Sequence, residues 1–144
     1  MNVGKNFTLE EMVASETAAK EGILNVPNAG EVQALTDLVA HILDPLRELL
    51  GKPVLVNSGF RCVALNKAVG GVADSQHCLG QAADIHVPGM SIGELITYIR
   101  EHNLPFDQLI DEFGEWVHVS YGPKQRREAL VLRSVNGHAQ YSFA

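Results

Sequence analysis

The stretch SQHCLGQAAD, at Ser75–Asp84, is the part of the chain around which the rest is organised. It places a histidine, His77, and an aspartate, Asp84, seven positions apart, with a glycine and small alanines between them. The polar residues stand just before an apolar run that has the character of a buried strand. Small residues such as Gly80 let the backbone pass close to a neighbouring segment. Folding alone would gain little from this arrangement, so it indicates a functional site.

A second polar cluster, EFGEWVHVS at Glu112–Ser120, occurs late in the chain. Imidazole and carboxylate groups are typical zinc ligands, and a catalytic zinc ion takes three protein ligands and keeps one position for water. We therefore predict that the two clusters meet around a metal ion, with His77, Asp84 and His118 as candidate ligands. Spacing alone leaves His86 as a competing candidate, because it shares a strand face with Asp84.

The composition of the 144-residue chain is that of an ordinary globular protein. Hydrophobic residues make up 46% of it and charged residues 19%, which excludes wholesale disorder and predicts one domain spanning residues 1–144. The net charge is −6 and no basic run is interleaved with aromatic residues, so we expect no nucleic-acid partner.

No targeting or membrane segment is predicted. The apolar runs all fall short of the roughly 20 residues that a membrane span requires, so we expect no membrane partner. The first residues lack the apolar segment of a signal peptide. Only two cysteines occur, Cys62 and Cys78, which is too few for a disulfide framework, and we expect reduced thiols.

Three capping boxes predict where helices begin. In each, a polar side chain caps the first turn and a glutamate three positions later reaches back. The pairs are Thr8 with Glu11, Asn28 with Glu31, and Ser91 with Glu94. Apolar residues at three-to-four spacing predict that the second helix is the longest, ending near Leu50, with a kink or break at Pro45. Residues 17–27 look irregular.

The last third of the chain changes to the two-residue period of strands. Together with two earlier apolar runs, strands are predicted at residues 54–56, 82–87, 108–112, 116–121, 129–133 and 139–142. The pair Asn136-Gly137 predicts a tight hairpin, because both residues tolerate positive φ. Helices come first and antiparallel strands last, so the predicted class is α+β, with helices packed on a small antiparallel sheet.

These motifs resemble a known family. The pattern Ser75-x-His77-x-x-Gly80-x-Ala82-x-Asp84, followed by Glu115-x-x-His118, is similar to that of the zinc D-alanyl-D-alanine peptidases, peptidase family M15. The segments Ser58–Arg61 and Asn66–Gly71 also resemble that family. Its members include carboxypeptidases, D,D-dipeptidases and phage L-alanyl-D-glutamate endopeptidases, and they share the Hedgehog/DD-peptidase fold. The resemblance covers roughly residues 54 to 121, about half of the chain.

The resemblance implies a role for each matching residue. His77, Asp84 and His118 would bind Zn²⁺, and His86 would be a bystander. Arg61 would face the zinc and stabilise either a substrate carboxylate or the oxyanion of the tetrahedral intermediate, for which a guanidinium is suited. Ser75 would hydrogen-bond the bound peptide or cap the loop before His77.

Two glutamates are candidates for the catalytic acid/base that transfers the proton. Family spacing, an acid three residues before the last histidine, selects Glu115 as the catalytic acid/base. Strand periodicity favours Glu112, because an offset of six places it on the same face as His118. A turn or bulge at Gly114 would break this alternation and allow Glu115 to lie on the same face as His118. We predict Glu115 with Glu112 as the alternative, and we expect Trp116 to pack in the core.

The resemblance as a whole implies a zinc metallopeptidase that hydrolyses a peptide bond in peptidoglycan stem peptides, of the D-Ala-D-Ala carboxypeptidase or L-Ala-D-Glu endopeptidase type. The alternatives are a non-catalytic zinc-stabilised module that binds cell wall or protein, and a Cys-His hydrolase using Cys78 or Cys62. We expect a monomer whose partner is the peptidoglycan peptide. A small chain without a signal peptide is typical of a phage endolysin, synthesised in the cytoplasm and acting at the cell wall.

Overall fold

A computed structural model describes all of residues 1–144. The strands form one six-stranded mixed sheet in the order β1-β2-β4-β3-β5-β6. The strands are β1 Leu55–Ser58, β2 Ala82–His86, β3 Gln108–Glu112, β4 Trp116–Ser120, β5 Glu128–Val135 and β6 His138–Phe143. The α-helices are α1 Leu9–Val13, α2 Glu16–Glu21, α3 Ala29–Leu38, α4 Asp44–Leu50, α5 Val63–Ala68 and α6 Ile92–Glu101. The α+β class is therefore confirmed.

The three predicted capping boxes are all present, at the starts of α1, α3 and α6. The expectation of an irregular segment at residues 17–27 is wrong for its first part, because α2 occupies Glu16–Glu21. The hydroxyl of Ser15 accepts a hydrogen bond from the amide of Ala18 and so begins this helix without a capping box.

The long helix is interrupted where Pro45 predicts a break. Between α3 and α4 the chain forms a π-helical turn at Val39–Leu43, in which the amide of Asp44 donates to the carbonyl of Val39. Proline has no amide hydrogen and its ring crowds the preceding turn, and a π turn is one way to accommodate this. The two helices and the turn together still follow one buried face.

The sheet differs from the prediction in one pairing. Four of the five strand pairings are antiparallel as expected, but β3 and β5 run parallel. The loop at residues 121–127 passes the start of β3 and enters β5 from the same end, so β5 cannot form a hairpin with β4. The predicted turn between β5 and β6 is confirmed, with positive φ at Asn136 (52°) and Gly137 (80°).

The two faces of the sheet have different roles. One face packs against the helices in a core of 22 buried residues, to which the strands contribute residues such as Ile85, Leu109 and Val117. The alternate residues on the same strands, including Asp84 and His118, point to the opposite face. The candidate site therefore lies on the opposite face of the sheet from this core, where residues of α2 and α5 border it. None of the helices is both long and apolar enough to cross a membrane.

Candidate metal centre

The structure brings His77, Asp84 and His118 together, and we call these three residues the ligand cluster. Asp84 on β2 lies directly opposite His118 on β4 in the antiparallel register. His77 lies on a 3₁₀ turn at Gln76–Leu79, immediately before β2. One ligand atom from each residue lies within 4.8 Å of the other two. Strands β2 and β4 and the turn that precedes β2 thus each supply one donor to the site.

The donor atoms converge on one carboxylate oxygen. Oδ1 of Asp84 is 3.2 Å from Nε2 of His77 and 3.1 Å from Nδ1 of His118. All three residues are buried, with relative exposures of 2% for His77, 7% for Asp84 and 8% for His118. Other ring atoms are occupied elsewhere, since Nδ1 of His77 lies 2.7 Å from the carbonyl oxygen of Gly59. This backbone contact fixes the orientation of the ring.

Close backbone packing holds the turn that carries His77. The amide of His77 donates to the hydroxyl of Ser75 over 3.1 Å, so Ser75 caps this turn. The carbonyl of His77 accepts from the amide of Arg61, also over 3.1 Å. Gly80 ends the turn at φ +73°, and a Cβ there would lie 2.5 Å from the carbonyl oxygen of Glu31. Only glycine permits this approach, as its place in the motif predicts.

The donor set fits a divalent cation. When the Nδ1–H of a neutral His77 ring donates to Gly59, the opposite Nε2 carries a lone pair that faces Asp84. This Nε2 atom and Oδ1 of Asp84 are 3.2 Å apart, and the lone pairs on the two atoms repel each other unless a proton or a metal ion lies between them. Two imidazoles and one carboxylate form a donor set that zinc accepts in catalytic sites.

The electrostatics keep Asp84 ionised, which a metal ligand requires. Burial by itself would raise the pKa of Asp84. Electrostatic attraction from His77 and hydrogen bonds from His118 and His77 outweigh burial, and the pKa of Asp84 lies well below its usual range. Cations beside this carboxylate are therefore strongly favoured.

The structure places Glu112, and not Glu115, beside the ligand cluster. Oε1 of Glu112 lies 3.5 Å from Nδ1 of His118. In the β3–β4 register Glu112 lies opposite Trp116, two positions from His118, so the two side chains share a face. Glu115 is exposed in the turn and does not line the cleft, which differs from our prediction.

The turn explains this outcome. Phe113 and Gly114 both adopt left-handed conformations, with φ of 58° and 67°. The amide of Glu115 donates to the carbonyl of Glu112, which closes the turn before β4 begins. Because Glu115 belongs to the turn, strand alternation does not act on it, and Gly114 does not return it to the ligand face.

Glu112 has a different electrostatic environment from Asp84. Burial, and after it the negative charge of Asp84, raise the pKa of the Glu112 carboxyl. The charges of His118 and Arg61 act in the opposite direction with smaller effect. Adjacent carboxyls with pKa values pushed in opposite directions are a common feature of sites that combine a ligand or charge with a proton carrier.

Two clefts meet at the ligand cluster. The larger, of about 1060 Å³, is lined by the ligand cluster, Glu112 and strand residues up to β6. The smaller, of about 570 Å³, lies on the β1 side. Arg61, Asp84 and Trp116 line both clefts. The buried Nε of Arg61 and Nε1 of Trp116 have no hydrogen-bond partner within the protein. Trp116 is thus a cleft residue and not a core residue as predicted.

A second buried carboxylate lies beside the same turn. Asp107 is 1% exposed, and its carboxylate accepts hydrogen bonds from the backbone and side chain of Arg126 and from the amide of Gln76. We call Asp107, Arg126 and Gln76 the Asp107 network. It ties the loop between β4 and β5 to the turn that carries His77. No motif predicts Asp107, since its partners lie 31 and 19 positions away.

Two other polar residues, Asn25 and His86, have different relations to the site. Asn25 donates to the carbonyls of Val13 and Phe60 and accepts from the amide of Cys62, and so holds the segment that contains Arg61. Nothing in the sequence near Asn25 indicates this role. His86 contacts the Asn57 side chain and lies outside the ligand cluster.

The sequence is similar to a known protein family and to one of its characterised members. A family model described as Peptidase M15 matches residues 5–120. A 61-residue segment is 39% identical to a zinc D-Ala-D-Ala carboxypeptidase of Streptomyces albus G, and it covers 42% of this chain. The segment spans only 24% of that relative, about a quarter of its length.

Proposed function

The chain belongs to the peptidase M15 family, and from this premise we propose that it is a zinc-dependent peptidase that hydrolyses a bond in peptidoglycan stem peptides. The observation that carries the proposal is the convergence of His77, Asp84 and His118 in a cleft that also contains Glu112. The activity named for the Streptomyces relative supports the D-Ala-D-Ala bond as the first candidate. The L-Ala-D-Glu bond of the same stem is the alternative.

The ligand cluster would hold zinc through two imidazole nitrogens and one carboxylate oxygen. Bound zinc acidifies a water molecule and polarises the carbonyl of a peptide bond. Asp84 supplies the single negative charge among the three ligands, which leaves the site with net positive charge. The contact between His77 and Gly59 keeps the first imidazole in position for this role.

We assign proton transfer to Glu112. Its carboxylate lies on the ligand face beside His118, whereas the Glu115 carboxylate is exposed in the turn. A partly buried carboxyl with a raised pKa binds a proton more readily than an exposed one, which suits a group that takes up a proton and passes it on. Glu112 would take the proton from the attacking water and pass it to the leaving amine as the peptide bond breaks.

Arg61 supplies positive charge at the junction of the two clefts. Its guanidinium would pair with the terminal carboxylate of the substrate or with the oxyanion that forms during attack. The unpartnered Nε is consistent with a side chain whose partner comes from the substrate. The Ser75 hydroxyl accepts from His77 and can donate its own hydrogen to a bound peptide.

Separate Glu112→Gln and Glu115→Gln variants test the assignment. Each is incubated, with zinc bound, with a purified disaccharide pentapeptide, and fragment masses identify the bond that is cut. We expect Glu112→Gln to lower turnover by at least about 100-fold, the usual effect of losing a general acid/base. Glu115→Gln should retain turnover within about threefold, and it is the matched control because it removes the same charge from the next turn.

Two outcomes would contradict the proposal in different ways. If Glu115→Gln alone abolishes cleavage, the proton carrier is Glu115, as family spacing predicts. If the unmodified protein with bound zinc cleaves no muropeptide, the proposed substrate is wrong whichever glutamate is essential.

A further inference from the structure

The cleft continues from the ligand cluster onto the C-terminal hairpin, β5–β6. The register places Asp84, His118 and Ile110 in one row across three strands. The same row continues through Leu130 to Phe143. Directly opposite residues of paired strands share a face, so the hairpin residues in this row lie on the face of the ligand cluster.

A parallel row begins at the proposed proton carrier. Glu112 lies opposite Leu132 on β5, and Leu132 lies opposite Tyr141 on β6. Adjacent strands are about 4.8 Å apart, so the backbones of Glu112 and Tyr141 are separated by roughly 10 Å, within the combined reach of the two side chains. Partial burial, and after it the negative charge of Glu112, raise the pKa of the Tyr141 phenol, as this proximity predicts.

The hairpin surface beside the ligand cluster is apolar and largely exposed. Tyr141 is 61% exposed and Phe143 is 87% exposed, while Leu130 and Leu132 line the cleft beneath them. Exposed aromatic side chains next to one another on a small protein indicate a binding surface. This hairpin lies beyond residues 5–120, the part of the chain that the family model matches.

We propose that Leu130, Leu132, Tyr141 and Phe143 form an extended subsite that binds the stem peptide beyond the residues next to the cleaved bond, and we call these four residues the hairpin platform. The inference rests on the proposed function, since it names where the rest of that substrate binds. The stem peptide is the ligand we propose for the platform, because a single cleft runs from the ligand cluster to the platform. From β4 to β6 the face spans roughly 15 Å, enough for about four residues of an extended peptide.

The platform is tested by binding, with the zinc-loaded Glu112→Gln variant so that the substrate stays intact. Calorimetry compares the pentapeptide L-Ala-γ-D-Glu-L-Lys-D-Ala-D-Ala with the dipeptides D-Ala-D-Ala and L-Ala-γ-D-Glu. We expect tighter binding of the pentapeptide, and a further Tyr141→Ala change should weaken it by roughly tenfold. Dipeptide affinities should change by less than about twofold, because neither dipeptide reaches β6.

Gln140→Ala is the matched control, since Gln140 is an exposed neighbour on the opposite face of β6 and does not line the cleft. Its pentapeptide affinity should match that of the parent. Phe143→Ala is a second platform variant and should also weaken pentapeptide binding. The thermal unfolding of each variant is measured to confirm that it folds.

Two outcomes would overturn the inference. The first is an unchanged pentapeptide affinity in both platform variants. The second is a dimer of the parent protein in sedimentation that Tyr141→Ala dissociates without a change in peptide affinity, which would make the platform a contact between two copies. Failure of the proposed function is seen separately, as an unmodified enzyme that cleaves no pentapeptide.

Discussion

The ligand cluster and the Asp107 network are both built around a buried carboxylate, but they differ in how their polar groups are satisfied. Asp107 accepts three hydrogen bonds from Arg126 and one from Gln76, all between 2.8 and 2.9 Å. In the ligand cluster two imidazole nitrogens face one oxygen of Asp84. The buried Nε of Arg61 on its rim has no hydrogen-bond partner within the protein.

This contrast distinguishes a carboxylate that stabilises the fold from one that is available for chemistry. Both carboxyls are buried and both have a lowered pKa, so neither burial nor ionisation distinguishes them. What distinguishes them is that Asp107 has protein donors around it, whereas Asp84 needs a cation and borders an open cleft. We therefore expect Asp107 to stabilise the fold and Asp84 to serve the chemistry.

The largest expected effect comes from Asp84→Asn. Losing the only anionic ligand should remove bound zinc and lower turnover by at least about 100-fold, because zinc contributes several kcal/mol to the reaction. Metal analysis and muropeptide turnover measure the two losses. Asp107→Asn is the control and should keep its zinc. An Asp84→Asn protein with one tightly bound zinc ion per chain would contradict the distinction.

Asp107→Asn should act on stability instead. The change leaves the Arg126 guanidinium without its partner charge, and Arg126 is only partly exposed. We expect the free energy of unfolding to fall by about 2 kcal/mol, because the buried carboxylate loses charged hydrogen bonds while solvent partly screens the exposed guanidinium. Urea unfolding measures it. A stability within about 0.5 kcal/mol of the parent would show that the network is not structural.

The acid dependence of stability should identify Asp107. Hydrogen bonds from Arg126 lower the pKa of Asp107 from 3.8 to about 2. A lowered folded-state pKa contributes stability above the unfolded-state value, and this contribution is lost as the pH falls from about 4 to about 2. It amounts to about 2 kcal/mol. Urea unfolding at the two pH values should therefore show that the metal-free parent loses about 2 kcal/mol more stability than metal-free Asp107→Asn. Equal losses of stability in the two proteins would contradict the assignment.

The smallest effect is expected for Gln76→Ala. Gln76 links the network to the ligand cluster, since its amide donates to Asp107 and it directly precedes His77. Losing one buried hydrogen bond should cost about 1 kcal/mol of stability. Zinc affinity should fall by less than tenfold, because the Gly59 contact still orients His77. A larger loss of zinc than of stability would show that the two regions are coupled more tightly than we propose.

Much of this architecture follows from local sequence. The three capping boxes act over four residues each, and the Asn136-Gly137 turn needs only two residues with positive φ. Both could therefore be predicted. The parallel pairing of β3 with β5 could not, because it depends on Asp107 holding a loop around Arg126, from a distant part of the chain.

The sequence alone was enough to name His77, Asp84 and His118 as candidate ligands, because they occur in motifs whose residue types and order resemble those of the M15 family, although their spacing did not exclude His86. The position of Glu112 beside His118, with Glu115 exposed in the turn, depends on tertiary structure. Strand register is a property of two paired segments, and the left-handed turn at Phe113 and Gly114 ends the alternation before Glu115. The same register carries the ligand face across to Tyr141, which no local pattern in the chain connects with the site.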